Sequence, residues 1–177
     1  RQVLAGGSLS DVLPACVDRI TEPRDRALVQ ELSYGVMRWH LRLDAILRLL
    51  MQRPLKARDA DVQALLLLGL YQLIHLRVAQ YAALNETAGA AQRLGKRWAV
   101  GLINGVLREF LRNRDALLAQ VDRDPAVAQA MPAWILQVIR QQWPAHWRER
   151  LEALNARPPM SLRVNRLRIF LMDSPFS

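Results

Sequence analysis

Apolar residues recur along this chain at intervals of three and four, and that spacing predicts helices nearly throughout. The clearest stripe is Leu28, Leu32, Val36, Trp39, Leu43, Ile46 and Leu50. It predicts one long helix over residues 25–51, with Pro54 as its stop. Ahead of it, Arg1 to Ala5 reads as the end of a clipped helix halted at Gly6-Gly7. Ser8 with Asp11 three positions on is a capping-box-like start for a helix reaching about Ile20, and Glu22-Pro23 breaks that helix. A helix capped by Asp61 and running to Leu76 has almost no polar face, which places it at the centre of a bundle. An alanine-rich helix follows from Tyr81 to Leu94 and closes at Gly95. Another is expected from Ala99 to Val121, with Ile103, Val106, Leu107, Phe110 and Leu111 on one side.

Beyond residue 121 the pattern changes. Asp122 to Met131 is a polar, proline-containing link, and Pro132 suits a first helical turn. Trp134, Val138, Trp143, Trp147, Leu151 and Leu154 predict two short helices parted near Pro144. Pro158-Pro159 ends the helical period. Met160 to Asn165 alternates apolar and polar residues, a strand signal whose pairing partners would lie beyond residue 177. The expectation is an all-α fold. A helical bundle covers residues 1–120 and a helical connector 121–158, while 159–170 open an α/β subdomain and 171–177 carry no interpretable pattern.

Composition narrows the class. The chain has 177 residues, 51% of them apolar, enough for one well-buried domain plus an appendage. The densest apolar stretch, Val62 to Leu76, is interrupted by Gln63, Gln72 and His75, and no run approaches the ~18 residues a membrane span needs. No signal-peptide pattern is visible, and a start on Arg1 without Met suggests a beginning inside a longer protein. The single cysteine, Cys16, allows no internal disulfide and fits a reducing cytoplasm. Its place between Ala15 and Val17 predicts a small buried hydrophobe.

Net charge of +9 and a pI of about 11.1 point to a polyanionic partner: RNA, DNA or anionic lipid. No catalytic or metal-binding constellation stands beside that charge. His40, His75 and His146 lack ligand spacing with one another or with Cys16. Gly101 and Gly105 fall inside a helical period and form no phosphate loop. The remaining chemical signal is basic. Arg24 and Arg26 open a helix, and Arg38 and Arg42 are one turn apart. Arg93, Lys96 and Arg97 crowd a helix junction beside Trp98. Arg108, Arg112 and Arg114 lie along one helix, and Arg163, Arg166 and Arg168 follow the strand signal. Each cluster alone reads as a solvated face; together with the net charge they make at least one RNA contact the expectation.

Three stretches carry a family resemblance. Leu68-Gly69-Leu70-Tyr71-Gln72-Leu73, Ala83-Leu84-Asn85-Glu86-Thr87 and Ile103-Asn104-Gly105-Val106-Leu107-Arg108 follow one another in the order and at the separations of the NusB-like helical domain. That domain occurs alone in the NusB antitermination factor and fused in certain bacterial ribosomal-RNA methyltransferases. Arg157 to Asn165 is similar to the segment that follows it in the cytosine-5 methyltransferases of the RsmB/Sun/Fmu family. The resemblance covers roughly residues 5–168. It implies the N-terminal, non-catalytic part of an enzyme that moves a methyl group from S-adenosylmethionine to carbon 5 of a cytosine in 16S ribosomal RNA. The cofactor pocket and catalytic cysteines would lie in a C-terminal domain, which would itself be a partner of this region. Small-subunit ribosomal RNA is the expected ligand. A transcription antitermination adaptor binding RNA and a protein partner is the alternative. Within the matched stretches, Asn85, Glu86, Asn104 and Arg108 are expected to form a buried polar contact between two helices, and Gly105 to permit close helix packing.

Overall fold

The computed structural model describes Val3 and residues 6–156, and these form an all-α fold. Ten helices follow one another: α1 Leu9–Val17, α2 Pro23–Arg38, α3 His40–Leu50, α4 Ala60–His75, α5 Gln80–Arg93, α6 Ala99–Arg112, α7 Arg114–Val121, α8 Pro125–Ala128, α9 Ala133–Gln142 and α10 Trp147–Asn155. A 3-10 turn, Ala57–Asp59, leads into α4. The expected strand at 160–165, the subdomain opening at 159–170 and the tail lie outside the described residues.

The apolar helix is central, as its sequence requires. Val62, Leu66, Leu67 and Leu70 of α4 are fully buried, covered by Leu43 and Ile46 of α3 and by Ile103, Leu107 and Phe110 of α6. Burying each such side chain contributes about 1.5–3 kcal/mol. Small residues set the spacing. Ala83, Ala88 and Ala91 form the buried side of α5. A Cβ at Gly69 would stand 2.7 Å from Leu107 Cδ1 and 3.3 Å from Thr87 Cγ2, so α4 meets both α5 and α6 at that glycine. A Cβ at Gly35 of α2 would run into the Tyr71 ring. The close-packing glycines are therefore Gly69 and Gly35. Gly105 is exposed with open space around it, because it sits on the side of α6 opposite Ile103 and Leu107.

Two expected long helices are each broken once. The stripe over 25–51 divides at Trp39 (φ −97°, ψ 11°), and that over 99–121 at Asn113 (φ −115°, ψ 22°). Val36 before the first break and Leu43 and Ile46 after it share the core, so the period runs across the break without a mark, although Leu28 at the start of the expected stripe is exposed. Trp39 leaves the helical path to stack on His75, with ring centroids 4.6 Å apart. Asn113 closes α6 with its amide on Glu109. The helix read as capped by Asp61 begins two residues earlier, with Asp59 at the cap position. Asp61 lies in the first turn and accepts from the Val62 N–H at 2.9 Å. Cys16 is exposed, because α1 buries only Leu13 and Val17.

The polar link contains α8, opened by Pro125 and capped by Asp124, whose carboxylate accepts from the Ala126 N–H at 2.9 Å. Beyond it α9 and α10 form a hairpin around a second, small core of Leu136, Ile139 and Leu151, with Trp147 and Met131 against it. Asn155 Nδ2 donates to the Gln129 carbonyl at 2.6 Å and fastens α10 to the end of α8.

Candidate nucleic-acid interface

Folding sorts the expected basic residues into two groups. Arg42 and Lys96 are committed to the fold. Arg42 has a largely buried side chain, and its Nη2 lies 2.8 Å from Asp122, tying α3 to the link behind α7; its guanidinium also stands 5.9 Å from the Trp39 ring. Lys96 Nζ lies 2.9 Å from Asp59 and 3.6 Å from Asp61, joining the α5–α6 junction to the turn before α4. The hydrogen bond from Lys96 holds the Asp59 carboxyl below its ordinary range, and the same bond raises Lys96. A cation held this way is neutralised by its acidic neighbours and leaves little for a phosphate.

Arg24, Arg26, Arg38, Arg93 and Arg97 stay at the surface. Arg24 and Arg26 stand at the opening of α2, where Arg26 donates to the Thr21 carbonyl at 3.3 Å. Arg38 borders a groove with Tyr34, Trp39 and Tyr71. Arg93 is 3.7 Å from Glu86, an exposed and therefore weak pair. Arg163, Arg166 and Arg168 lie outside the described residues.

The contact expected among Asn85, Glu86, Asn104 and Arg108 does not form. Asn85, Glu86 and Arg108 are exposed and Asn104 half-buried, on the outer faces of α5 and α6. The buried positions of α5 and α6 are mostly small and apolar, Ala83, Leu84, Ala88, Ala91, Ile103, Val106 and Leu107 among them.

What the structure assembles is a groove. The Lys96–Asp59 pair draws the segment around Pro54 to Asp59 against the α5–α6 junction. Lys56, Arg58 and Trp98 line the resulting depression, with the ion pair at its floor. Lys56 and Arg97 are exposed, Arg58 lies 3.6 Å from Asp59, and Trp98 is 55% exposed. With Asp59 and Asp61 answered by Lys96, the surplus charge of the rim is positive. Lys56 and Arg58 were missed in the sequence reading. They lie some forty positions from Arg97 and join it only through the Lys96–Asp59 pair. The one sequence hint was their place in a proline-bounded loop next to an otherwise unexplained Asp59. Chemically, the groove offers exposed cations that can meet phosphates and an accessible ring on which a base can stack.

No helix among the described residues is long and apolar enough to cross a membrane. A bundle closed around one largely apolar helix, with a groove of basic residues and a tryptophan at its edge, defines an all-α helical domain. The chain belongs to the NusB family, whose model matches residues 4–112. Residues 131–172 match a second model, described as the Methyltr_RsmF/B-like, ferredoxin-like domain. Over 93% of its length the chain is 50% identical to the ribosomal RNA small subunit methyltransferase B of Pseudomonas putida. It is 43% identical over 91% to the protein of that name from Klebsiella pneumoniae, and 43% over 82% to a probable one from Coxiella burnetii. The chain spans little more than a third of these relatives, 38%, 37% and 34% of their respective lengths.

Proposed function

We propose that this chain is the RNA-binding, substrate-positioning region of a cytoplasmic, S-adenosylmethionine-dependent ribosomal-RNA (cytosine-C5) methyltransferase acting on 16S RNA, and that it is itself non-catalytic. The observation that carries the reading is the groove lined by Lys56, Arg58 and Trp98 around the Lys96–Asp59 pair, with exposed Arg97 next in sequence to Trp98, in a chain of net charge +9. The names of the relatives supply the substrate class. In this reading the exposed cations hold phosphates and fix the register of the RNA, while the remainder of the longer enzyme presents the cytosine to the cofactor. In this reading S-adenosylmethionine is bound by that remainder.

Fluorescence anisotropy with a small-subunit ribosomal-RNA hairpin and a scrambled control, across a salt series, tests the reading. Preferential binding that weakens steeply with salt is the expected result. Absence of binding at modest salt, together with full methylation by a longer enzyme deprived of this region, would overturn it.

A further inference from the structure

Away from the groove, the α9–α10 hairpin holds a second cluster that none of the readings above uses. The guanidinium carbons of Arg140 and Arg148 lie 4.2 and 4.3 Å from the centroid of the Trp147 ring, and that of Arg150 lies 5.8 Å from Trp143. All three arginines are exposed, and none forms an ion pair among the described residues. Acids are within the same helix, yet Glu149 is turned to His146 at 3.3 Å and Glu152 lines the depression beside Trp39 and Arg42. A stacked guanidinium uses its face on the ring and keeps its N–H edge for an acceptor. Stacking also restricts the long side chain, so less entropy is lost when that edge takes a ligand. The scaffold beneath is fixed, since Trp147 packs on Leu136, Ile139 and Leu151. Beside the cations, Trp143 is 43% exposed at the end of α9.

We infer that this cluster is a second RNA site, specific for an unpaired strand: Arg140, Arg148 and Arg150 take successive phosphates and Trp143 stacks on a base. The inference rests on the RNA reading above and adds the site and the form of RNA it takes. An unpaired strand is selected because a base inside a duplex already has both faces covered, whereas a protein indole needs one free. Two guanidiniums over one indole and a third beside Trp143, none with an acid partner among the described residues, match a phosphodiester chain, whose charges repeat at short intervals. They match an apolar protein surface poorly.

The test uses the full chain with a labelled single-stranded oligoribonucleotide of about twelve bases and the duplex of the same sequence, a length within the usual site size. The triple variant R140Q/R148Q/R150Q is expected to lose single-strand affinity by about tenfold or more. Its dependence of log Kd on log salt should be shallower by about 2, three contacts at ~0.7 each. Trp143→Phe should remove part of the tryptophan quenching that the strand produces, and it keeps the hairpin intact if the triple variant does not fold. Parental affinity in the triple variant, with loss in K56Q/R58Q, would overturn this inference and leave the RNA reading standing. Unchanged quenching in Trp143→Phe, or competition by polyglutamate as strong as by RNA, would also overturn it. Failure of the parent chain to bind either RNA would remove both readings.

Discussion

The bundle around α4 and the α9–α10 hairpin solve the same problem at different scales. In the bundle, four faces close on one apolar helix and the largest side chains, Phe110 and Leu66 among them, see no solvent. The hairpin has three buried side chains, Leu136, Ile139 and Leu151, and is covered in part by the Trp147 indole, over which the guanidiniums of Arg140 and Arg148 lie. In the bundle the link between stability and candidate function runs through surface ion pairs, Lys96 with Asp59 above all. In the hairpin it runs through the cover of the core itself, since Arg140 and Arg148 lie over the Trp147 ring that packs on it. The sharpest way to test that contrast is to empty each core. Phe110→Ala should cost about 3–5 kcal/mol and lower the midpoint of the whole cooperative transition. Leu151→Ala should cost about 2–4 kcal/mol locally, exposing the hairpin amides to hydrogen exchange while the bundle midpoint holds. An equal fall of the global midpoint in both variants would show that the two cores melt as one unit.

A smaller effect within the bundle comes from Gly35. Tyr71 lies against that glycine, its hydroxyl donating to Glu31 at 2.9 Å and its ring 5.2 Å from His75. Because the ring is held at both ends, it cannot retreat from an added methyl group. Gly35→Ala is expected to destabilise by about 1–3 kcal/mol. The same change at Gly105, which faces open space, should be neutral or slightly stabilising through helix propensity. Chemical denaturation of the two variants side by side checks the pair, and equal behaviour would undo the assignment of Gly35 as the contact point.

The third effect depends on pH. Burial, and then the charge of Arg42, push His75 down from 6.5 to about 4, so the imidazole between Trp39 and Tyr71 is neutral at physiological pH. The unfolded chain takes up that proton near 6.5 and the folded chain does not. The contribution of His75 is therefore complete above about 6.5 and is lost as pH falls toward 4. Unfolding titrations from pH 7 to 4.5 should show a decline that His75→Phe flattens. A parallel decline in the variant would assign the acid sensitivity to other groups.

The sequence was legible where one physical rule dominates. The helix 60–75 could be placed at the centre because a segment with no polar side has nowhere else to go, and Gly95 (φ 73°) could be read as a stop because its backbone conformation suits a residue without a Cβ. The breaks at Trp39 and Asn113 were not legible, since a hydrophobic period reports which side faces the core and is blind to a change of helix axis that keeps the same side inward. The candidate site was half legible for a related reason. Local spacing showed the cluster Arg93, Lys96, Arg97 and Trp98, but not that Asp59 would claim Lys96 and bring Lys56 and Arg58 with it. Pairings across nearly forty residues leave no periodic trace. The same holds for Arg42 with Asp122, eighty positions away.

The smallest predicted effect separates two adjacent residues that sequence reasoning treated alike. Lys96 points to Asp59 and Asp61; Arg97, next in sequence, is exposed. Asp59 is held low and Lys96 high. The stabilisation from Asp59 is present above its ordinary value of 3.8 and lost as pH falls through the depressed folded value. That from Lys96 is present below 10.5 and lost as pH rises through the elevated one. At pH 7 both contributions are complete. Lys96→Gln should therefore lower the thermal midpoint and weaken RNA binding only indirectly, by loosening the turn that carries Lys56 and Arg58. Arg97→Gln should leave the midpoint where it is and reduce the slope of log Kd against log salt by about 0.7–0.9, the value of one phosphate contact. Melting curves and salt titrations on the two variants form a two-by-two comparison. If Arg97→Gln shifts the midpoint and Lys96→Gln alone changes the salt slope, then the inward cation is the one that reaches RNA, and the division of basic residues into structural and binding groups at this groove is reversed.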